Sequence, residues 1–115
     1  MQEQRLHPRF DVSLSAEIAS GEHVFLAKAK DLSLTGVGLI LNQPIQEGVQ
    51  LGISLFLVEE GIEDAVTAVL HVQGETMWIA PSEKGGFLAG VRFFALPPGQ
   101  KGLLQRYMGR LAPSG

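Results

Sequence analysis

The sequence predicts a mainly β protein: a six-stranded antiparallel β-barrel with a short C-terminal helix. Apolar and polar residues alternate along several stretches, and turns rich in glycine and proline separate these stretches at regular intervals. Near the C-terminus the apolar spacing changes to that of a helix. The chain has 115 residues, 45% of them hydrophobic, which suits one domain with a single core. Closing six strands into a barrel would leave no strand edge bare.

Period-two alternation predicts each strand, and the first strand shows the pattern best. Phe10, Leu14 and Ile18 share one face with two further apolar residues, while the residues between them are polar. In the long fifth strand we expect Gly74 to mark a bend or bulge, and Trp78 to lie in the core or to anchor an interface. The predicted strands are residues 10–18, 24–32, 37–42, 49–57, 65–79 and 87–96.

The last part of the chain predicts one short helix that packs against the barrel. Pro97 and Pro98 suit its first turn, although Gly102 and Gly109 each weaken a helix by about 1 kcal/mol relative to alanine. Its apolar face consists of Leu103, Leu104, Tyr107, Met108 and Leu111.

Composition and charge exclude several classes of protein. A formal net charge of −3 opposes general binding of DNA or RNA, and the absence of cysteine excludes disulfides and thiolate chemistry. The sequence has neither a signal-peptide pattern nor a stretch of roughly 20 apolar residues, so we expect a cytoplasmic protein without membrane insertion. Residues 97–115 carry three basic and no acidic side chains, and residues 1–30 carry four basic ones. An anion site is therefore expected near the two ends of the chain.

The segment QRLHPRF is the first of two that carry the residue types of a binding site. It places Arg5 and Arg9 four positions apart, just before the first strand. Pro8 disfavours a helical conformation at His7, so the segment is expected to be extended or looped. An arginine guanidinium binds phosphate with two hydrogen bonds, pairs with the edge of guanine and stacks on flat rings.

The second segment, DLSLTG at residues 31–36, lies between two predicted strands. Asp31 and Ser33 favour a turn and alternate with leucines, so both are expected on the same side of the sheet. Gly36 is expected to adopt a backbone angle that other residues resist. Because the carboxylate and the hydroxyl can accept hydrogen bonds from a base, the two segments together suit an anionic ligand that contains guanine.

With these two segments the chain resembles the PilZ domain family. RLHPR fits the family pattern R-x-x-x-R, DLSLTG fits [D/N]-x-S-x-x-G, and AGVRFFAL at residues 89–96 resembles the last strand of the family. The resemblance runs from Arg5 to the C-terminal helix. It implies a β-barrel that binds the bacterial second messenger cyclic di-GMP and is not an enzyme, with no further cofactor. The histidines have no metal-ligand spacing, so no metal is expected either.

The resemblance also implies which residues contact the ligand. The arginines would hold phosphates and guanine faces, the carboxylate and the hydroxyl would hydrogen-bond guanine, and the glycine would keep the turn open. Residues 1–9 would form a flexible arm that orders against the barrel domain of residues 10–115 and so signals to an unidentified protein partner. The implied ligand residues are Arg5, Arg9, Asp31, Ser33 and Gly36, with Gln4, His7 and Arg92 as secondary candidates.

One departure and two alternatives remain at the level of sequence. Many family members carry another arginine beside the first, whereas here the neighbours are Gln4 and Leu6. The alternative function is a PilZ-like protein-interaction module without nucleotide binding, as in type IV pilus assembly, although such modules typically lack the arginine pair. A barrel that binds single-stranded nucleic acid is opposed by the acidic charge. Both a monomer and a ligand-linked dimer agree with the sequence. Regulation of motility, of exopolysaccharide production and of biofilm formation are all open as roles of the protein.

Overall fold

Six antiparallel strands close into a barrel in the computed structural model, which describes residues 9–57 and 68–111. The elements are β1 (Phe10–Ser20), β2 (His23–Leu32), β3 (Gly36–Leu41), β4 (Gln50–Leu57), β5 (Ala68–Pro81), β6 (Phe87–Phe93) and α1 (Pro98–Arg110). Around the barrel the strands follow the order β1-β2-β3-β6-β5-β4. The predicted fold, a six-stranded antiparallel barrel with a short C-terminal helix, is confirmed.

Closure depends on two pairings between strands that are distant in the sequence. β3 pairs with β6 along six residue pairs, and β1 pairs with β4 from Ala16–Leu55 to Ala19–Gly52. The alternating residues of the first strand behave as predicted: Leu14, Ala16 and Ile18 are buried, and the polar residues between them are exposed. The inward faces of all six strands therefore share one apolar core, and the intervening residues form the outer surface.

The irregularity in β5 does not lie at Gly74, where the sequence led us to expect it. Gly74 stays in register with both neighbouring strands, and the register with β6 shifts at Met77, between Thr76 and Trp78. Glycine is needed at position 74 for a different reason. A Cβ there would lie 2.7 Å from the carbonyl oxygen of Arg92, so the two strands can approach this closely only without a side chain.

The strand boundaries agree with the predicted ones to within a few residues. The largest difference is β6, which ends at Phe93 rather than at residue 96. There the backbone N–H of Phe94 bonds to the carbonyl of Gln73, and the chain turns towards the helix. The predicted start of the fifth strand at residue 65 lies outside the described residues.

Helix α1 covers the part of β5 that β6 does not reach. β6 pairs with β5 only from Gly74 onwards, and the backbone N–H of His71 donates instead to Oε1 of Gln100, at 2.7 Å. Leu104, Tyr107 and Met108 are buried on the face that meets the barrel, as their spacing predicted. In the described part of the chain, no helix has the length and apolar character needed to cross a membrane.

Thr76 offers a test of the barrel interior. Its side chain is buried, and among the described residues its Oγ1 has no hydrogen-bond partner. Thr76→Val replaces the unpaired hydroxyl with a methyl group of similar shape. We expect the free energy of unfolding in urea to stay the same or rise by about 1 kcal/mol, because a buried hydroxyl without a partner is destabilising. Thr76→Ala, which leaves a small void, should lower it. A loss in Thr76→Val as large as that in Thr76→Ala would contradict this account.

Candidate functional site

The centre of the candidate site is the carboxylate of Asp31, which accepts hydrogen bonds from two cations. Nη1 of Arg9 donates to Oδ1 at 2.6 Å, and Nζ of Lys30 donates to Oδ2 at 2.8 Å. The Asp31 side chain is only 14% exposed, whereas that of Arg9 is 37% exposed. In this contact Arg9 uses only one of the five N–H donors of its planar fork. Arg9 of the first sequence segment thus contacts Asp31 of the second.

The two cations keep the carboxylate ionised. Burial alone would raise the pKa of Asp31. Hydrogen bonds from Lys30 and Arg9, together with their positive charges, outweigh burial and hold the pKa of Asp31 below its ordinary value. Asp31 is therefore a fixed hydrogen-bond acceptor over the whole neutral range. Asp11, the partner of Asp31 across β1, adds a second negative charge next to this cluster.

A register shift in β2 brings these side chains to the surface. Ala29 pairs with Leu39, but Asp31 already pairs with Gly38, so Lys30 is an extra residue on β2. Ala29 and Leu32 are both fully buried although they are three positions apart, which regular alternation forbids. The bulge thus lets Asp31 lie on the outer face while Leu32 returns to the core.

Two glycines make the floor of the outer face beside Asp31. Across neighbouring strands, Asp31 pairs with Gly38, Gly38 with Gly90, and Gly90 with Trp78. A Cβ at position 38 would lie 2.6 Å from Oδ2 of Asp31, and a Cβ at position 90 would overlap Nε1 of Trp78. The carboxylate therefore lies over the bare backbone of Gly38 and the indole over that of Gly90, and neither glycine places a side chain between them.

Trp78 lies on the outer surface and not in the core. Its side chain is 44% exposed, so the expectation of a core position is wrong, and the expectation of an interface anchor stays a prediction. The register shift at Met77 explains the outward position, because it reverses the alternation of β5 just before Trp78. A flat aromatic ring is thereby placed on the same face as a carboxylate and an arginine.

The turn between β2 and β3 holds this arrangement. Oγ of Ser33 accepts hydrogen bonds from the backbone N–H groups of Thr35 and Gly36, each at 3.1 Å, and Ser33 is only 1% exposed. Ser33 therefore shapes the turn between β2 and β3. A hydrogen bond between Ser33 and guanine, as the resemblance implied, would require this buried side chain to become accessible.

The expected unusual backbone angle at Gly36 is wrong. Among the described residues, the glycines with positive φ are Gly21, Gly48, Gly85 and Gly86. Gly36 is required instead by β6, because a Cβ at this position would lie 2.5 Å from the carbonyl oxygen of Val91. The glycine of the DLSLTG motif therefore permits the close approach of two strands beneath the site.

Arg92 lies one row further along the same outer face. It pairs with Gly36 across β3 and with Glu75 across β5, and its Nη2 donates to Oε1 of Glu75 at 3.2 Å. The side chain is exposed, which agrees with an outward strand residue. It adds a further cation to the outer face that carries Arg9 and Lys30.

The structure bears on the predicted site residues to different degrees. Three predicted residues, Arg5, Gln4 and His7, lie outside the described residues. Sequence reasoning missed Lys30, Gly38 and Gly90. A signal for the two glycines was available, because both fall at outward positions of their strands, where a polar side chain is usual.

Comparison with known proteins agrees with this barrel. A sequence profile of the PilZ domain family matches residues 3–110, whereas no curated protein sequence matches the chain. The fold is similar to that of the inhibitor of motility MotI/DgrA from Bacillus subtilis, with a TM-score of 0.78 and 20% identity over 95% of this chain and 51% of that chain. The chain thus spans about half the length of that relative.

Two solved complexes share the fold. The PilZ domain of YcgR from Escherichia coli with c-di-GMP has a TM-score of 0.72 and 20% identity, over 95% of this chain and 92% of that chain. The c-di-GMP complex of MrkH from K. pneumonia has a TM-score of 0.74 and 15% identity, over 96% and 53%. The structural likenesses establish the fold, and the profile match over nearly the whole chain establishes the family. This chain belongs to the PilZ domain family, whose members include receptors for cyclic di-GMP.

Proposed function

We propose that this PilZ domain is a receptor for cyclic di-GMP that binds the ligand on the outer face built from Asp31, Gly38, Gly90 and Trp78. The observation that carries the proposal is the meeting of Arg9 with Asp31 beside a floor of two glycines. A cyclic dinucleotide offers phosphates to the guanidinium, N–H groups to the carboxylate and flat bases to the ring. The domain acts by binding and not by catalysis.

Arg9 and Asp31 divide the recognition of the ligand. Nη1 of Arg9 keeps its hydrogen bond to the Asp31 carboxylate while the other N–H donors of the guanidinium bind a phosphate. Both contacts are possible because the guanidinium presents donors in more than one direction. Asp31 accepts from the N–H groups of a guanine, and Lys30 keeps it ionised from the other side. Arg5 adds a second phosphate contact, and Gln4, His7 and Arg92 contribute secondary contacts.

The glycine floor brings the carboxylate and the indole close together. Asp31 lies over Gly38 and Trp78 lies over Gly90, on neighbouring strands about 4.8 Å apart, so a guanine can contact both from the solvent side. Trp78 stacks on the base, since indole faces bind bases of any kind. Ser33 and Gly36 contribute by holding the turn and the strand approach beneath the site.

Binding of the ligand is proposed to order residues 1–9 against the barrel. Arg5 lies in this segment and Arg9 ends it, so a ligand held by both would draw the segment onto the outer face. The bound ligand and the segment together then form a surface that a partner protein distinguishes from the ligand-free barrel.

Alanine substitution of Arg9 or Asp31 tests the receptor function. In calorimetric titration with cyclic di-GMP, Arg9→Ala should bind about 10- to 150-fold more weakly, because a charge-assisted hydrogen bond contributes about 1.5–3 kcal/mol. Asp31→Ala should lose a similar factor. Arg106→Ala removes an exposed arginine from α1 and serves as the matched control, with unchanged affinity expected. Absence of heat in the unsubstituted protein would favour the protein-interaction module instead.

The pH dependence of binding tests the state of Asp31. Since only the ionised carboxylate accepts from both N–H groups of a guanine, affinity should be constant at neutral pH and fall as the pH drops through the lowered pKa of Asp31. In Lys30→Met one of the two cations is lost, so the pKa of Asp31 rises and affinity should begin to fall at a higher pH. Asp31→Asn should bind weakly without this acidic fall. Equal profiles in all three proteins would refute an acceptor role for Asp31.

Trp78, the single tryptophan of the chain, reports on base stacking directly. Cyclic di-GMP should quench its fluorescence, and Trp78→Leu should weaken binding by about 1–3 kcal/mol if one base stacks on the indole. Met77→Ala, at the exposed neighbouring position, is the control and should bind normally. Full affinity in Trp78→Leu would place the base elsewhere on the face.

A further inference from the structure

Arg92 and Glu75 form an ion pair at the border of the proposed ligand face. Nη2 of Arg92 donates to Oε1 of Glu75 at 3.2 Å, between paired residues of β6 and β5. On its other side Glu75 lies opposite Gln50 of β4, but the side-chain amide of Gln50 donates to Oε1 of Gln73 instead, at 2.7 Å. Among the described residues, the hydrogen-bond donor to the Glu75 carboxylate is therefore Arg92.

This ion pair lies one side-chain period away from the glycines of the site. Arg92 follows Gly90 by two positions on β6, about 7 Å along the strand. Val91 between them is in the core, so Gly90 and Arg92 share the outer face. Across β3, Arg92 lies opposite Gly36, which has no side chain to separate it from the turn between β2 and β3. The ion pair with Glu75 thus draws the guanidinium towards β5 and away from β3.

The two arginine–carboxylate pairs of this face differ in strength. The pair of Arg9 with Asp31 has an N–O distance of 2.6 Å, and the Asp31 side chain is only 14% exposed. In the pair of Arg92 with Glu75 the distance is 3.2 Å, and the two side chains are 59% and 34% exposed. An exposed ion pair contributes little stability, because water competes for both charges. The contact that an incoming anion can replace at the lower cost is therefore the one between Arg92 and Glu75.

A carboxylate and a phosphate are equivalent partners for a guanidinium. Both accept charge-assisted hydrogen bonds from its N–H groups, and a phosphate accepts two of them in parallel. The contact in the structure joins one nitrogen of Arg92 to one oxygen of Glu75. A phosphate held nearby thus offers Arg92 a partner of the same chemistry and of better geometry.

We propose that Glu75 competes with the ligand for Arg92, and that a phosphate of the bound cyclic dinucleotide replaces Glu75 as the partner of this arginine. The inference rests on the proposed receptor function and concerns the control of its affinity. In the ligand-free protein Glu75 holds the guanidinium at β5. In the complex the guanidinium turns towards the ligand, and the carboxylate is released to solvent. Glu75 is thus a positioning residue that lowers affinity and so raises the ligand concentration at which the receptor responds.

A double-mutant cycle in calorimetric titration with cyclic di-GMP tests this exchange. Glu75→Gln keeps the shape of the side chain and removes its charge, so affinity should rise about two- to fivefold, the free energy of an exposed ion pair. Arg92→Ala should weaken binding, and adding Glu75→Gln to Arg92→Ala should then change affinity by less than about twofold. Titration at about 0.15 M salt limits the influence of charges beyond about 8 Å.

Glu17→Gln is the matched control for the loss of one negative charge. Glu17 is exposed on β1, between Leu26 of β2 and Ser54 of β4, on another part of the barrel surface. Its substitution should leave affinity unchanged. If Glu75→Gln raises affinity equally in the presence and absence of Arg92, Glu75 acts on the ligand by charge alone and the exchange is overturned. Absence of heat in the unsubstituted protein and in all variants overturns the receptor function itself, and the exchange with it.

NMR of the Arg92 guanidinium gives a second, direct measurement. Its Nε–Hε resonance can be assigned by its disappearance in Arg92→Lys. Without ligand this resonance should differ between the unsubstituted protein and Glu75→Gln, because only the former has the ion pair. With saturating cyclic di-GMP the two resonances should converge, because Arg92 then contacts a phosphate in both proteins. A difference of the same size before and after saturation overturns the proposal, even where both proteins bind the ligand.

Discussion

Closure of the barrel through β1 and β4 is the constraint on which the rest of this structure depends. Only four residue pairs join these strands, from Ala16–Leu55 to Ala19–Gly52. They turn a twisted sheet into a ring and so decide which side of every strand is interior. Once the interior is apolar, the outward positions of β2, β3, β6 and β5 form one continuous face. The candidate site occupies this face, and its residues come from strands that are far apart in the chain.

The electrostatics of the site explain why an acidic protein keeps Arg9 at the start of its first strand. Arg9 is held where it is by Asp31, and Asp31 is held ionised by Arg9 and Lys30. A carboxylate that is already paired and partly buried has little orientational freedom. In the proposed complex it would therefore lose little conformational entropy on accepting hydrogen bonds from a guanine. The guanidinium remains partly exposed and can engage an anion while it keeps this contact.

Glycine takes three of the outward positions on β3 and β6, and each has its own steric reason. Position 36 faces the backbone of Val91, position 38 lies beneath Asp31, and position 90 lies beneath Trp78. Because these positions carry no side chains of their own, β3 and β6 lie close together and leave room for the side chains of Asp31 and Trp78. An alternating pattern with glycine at the outward positions thus indicates close contacts across neighbouring strands, which composition or hydropathy does not reveal.

The sequence by itself determined the class of fold, the six strands to within a few residues, the helix face and the two motifs of the site. These features depend on local alternation and on turn residues, which act over short distances along the chain. The tertiary structure decided the rest: the pairing of β3 with β6, the outward position of Trp78, the burial of Ser33 and the true reason for Gly36 and Gly74. Each of these features depends on which strand pairs with the one that carries the residue. A period-two pattern distinguishes two faces of a strand, but it contains no information about the strand that will become its neighbour or about the bulges that exchange its faces.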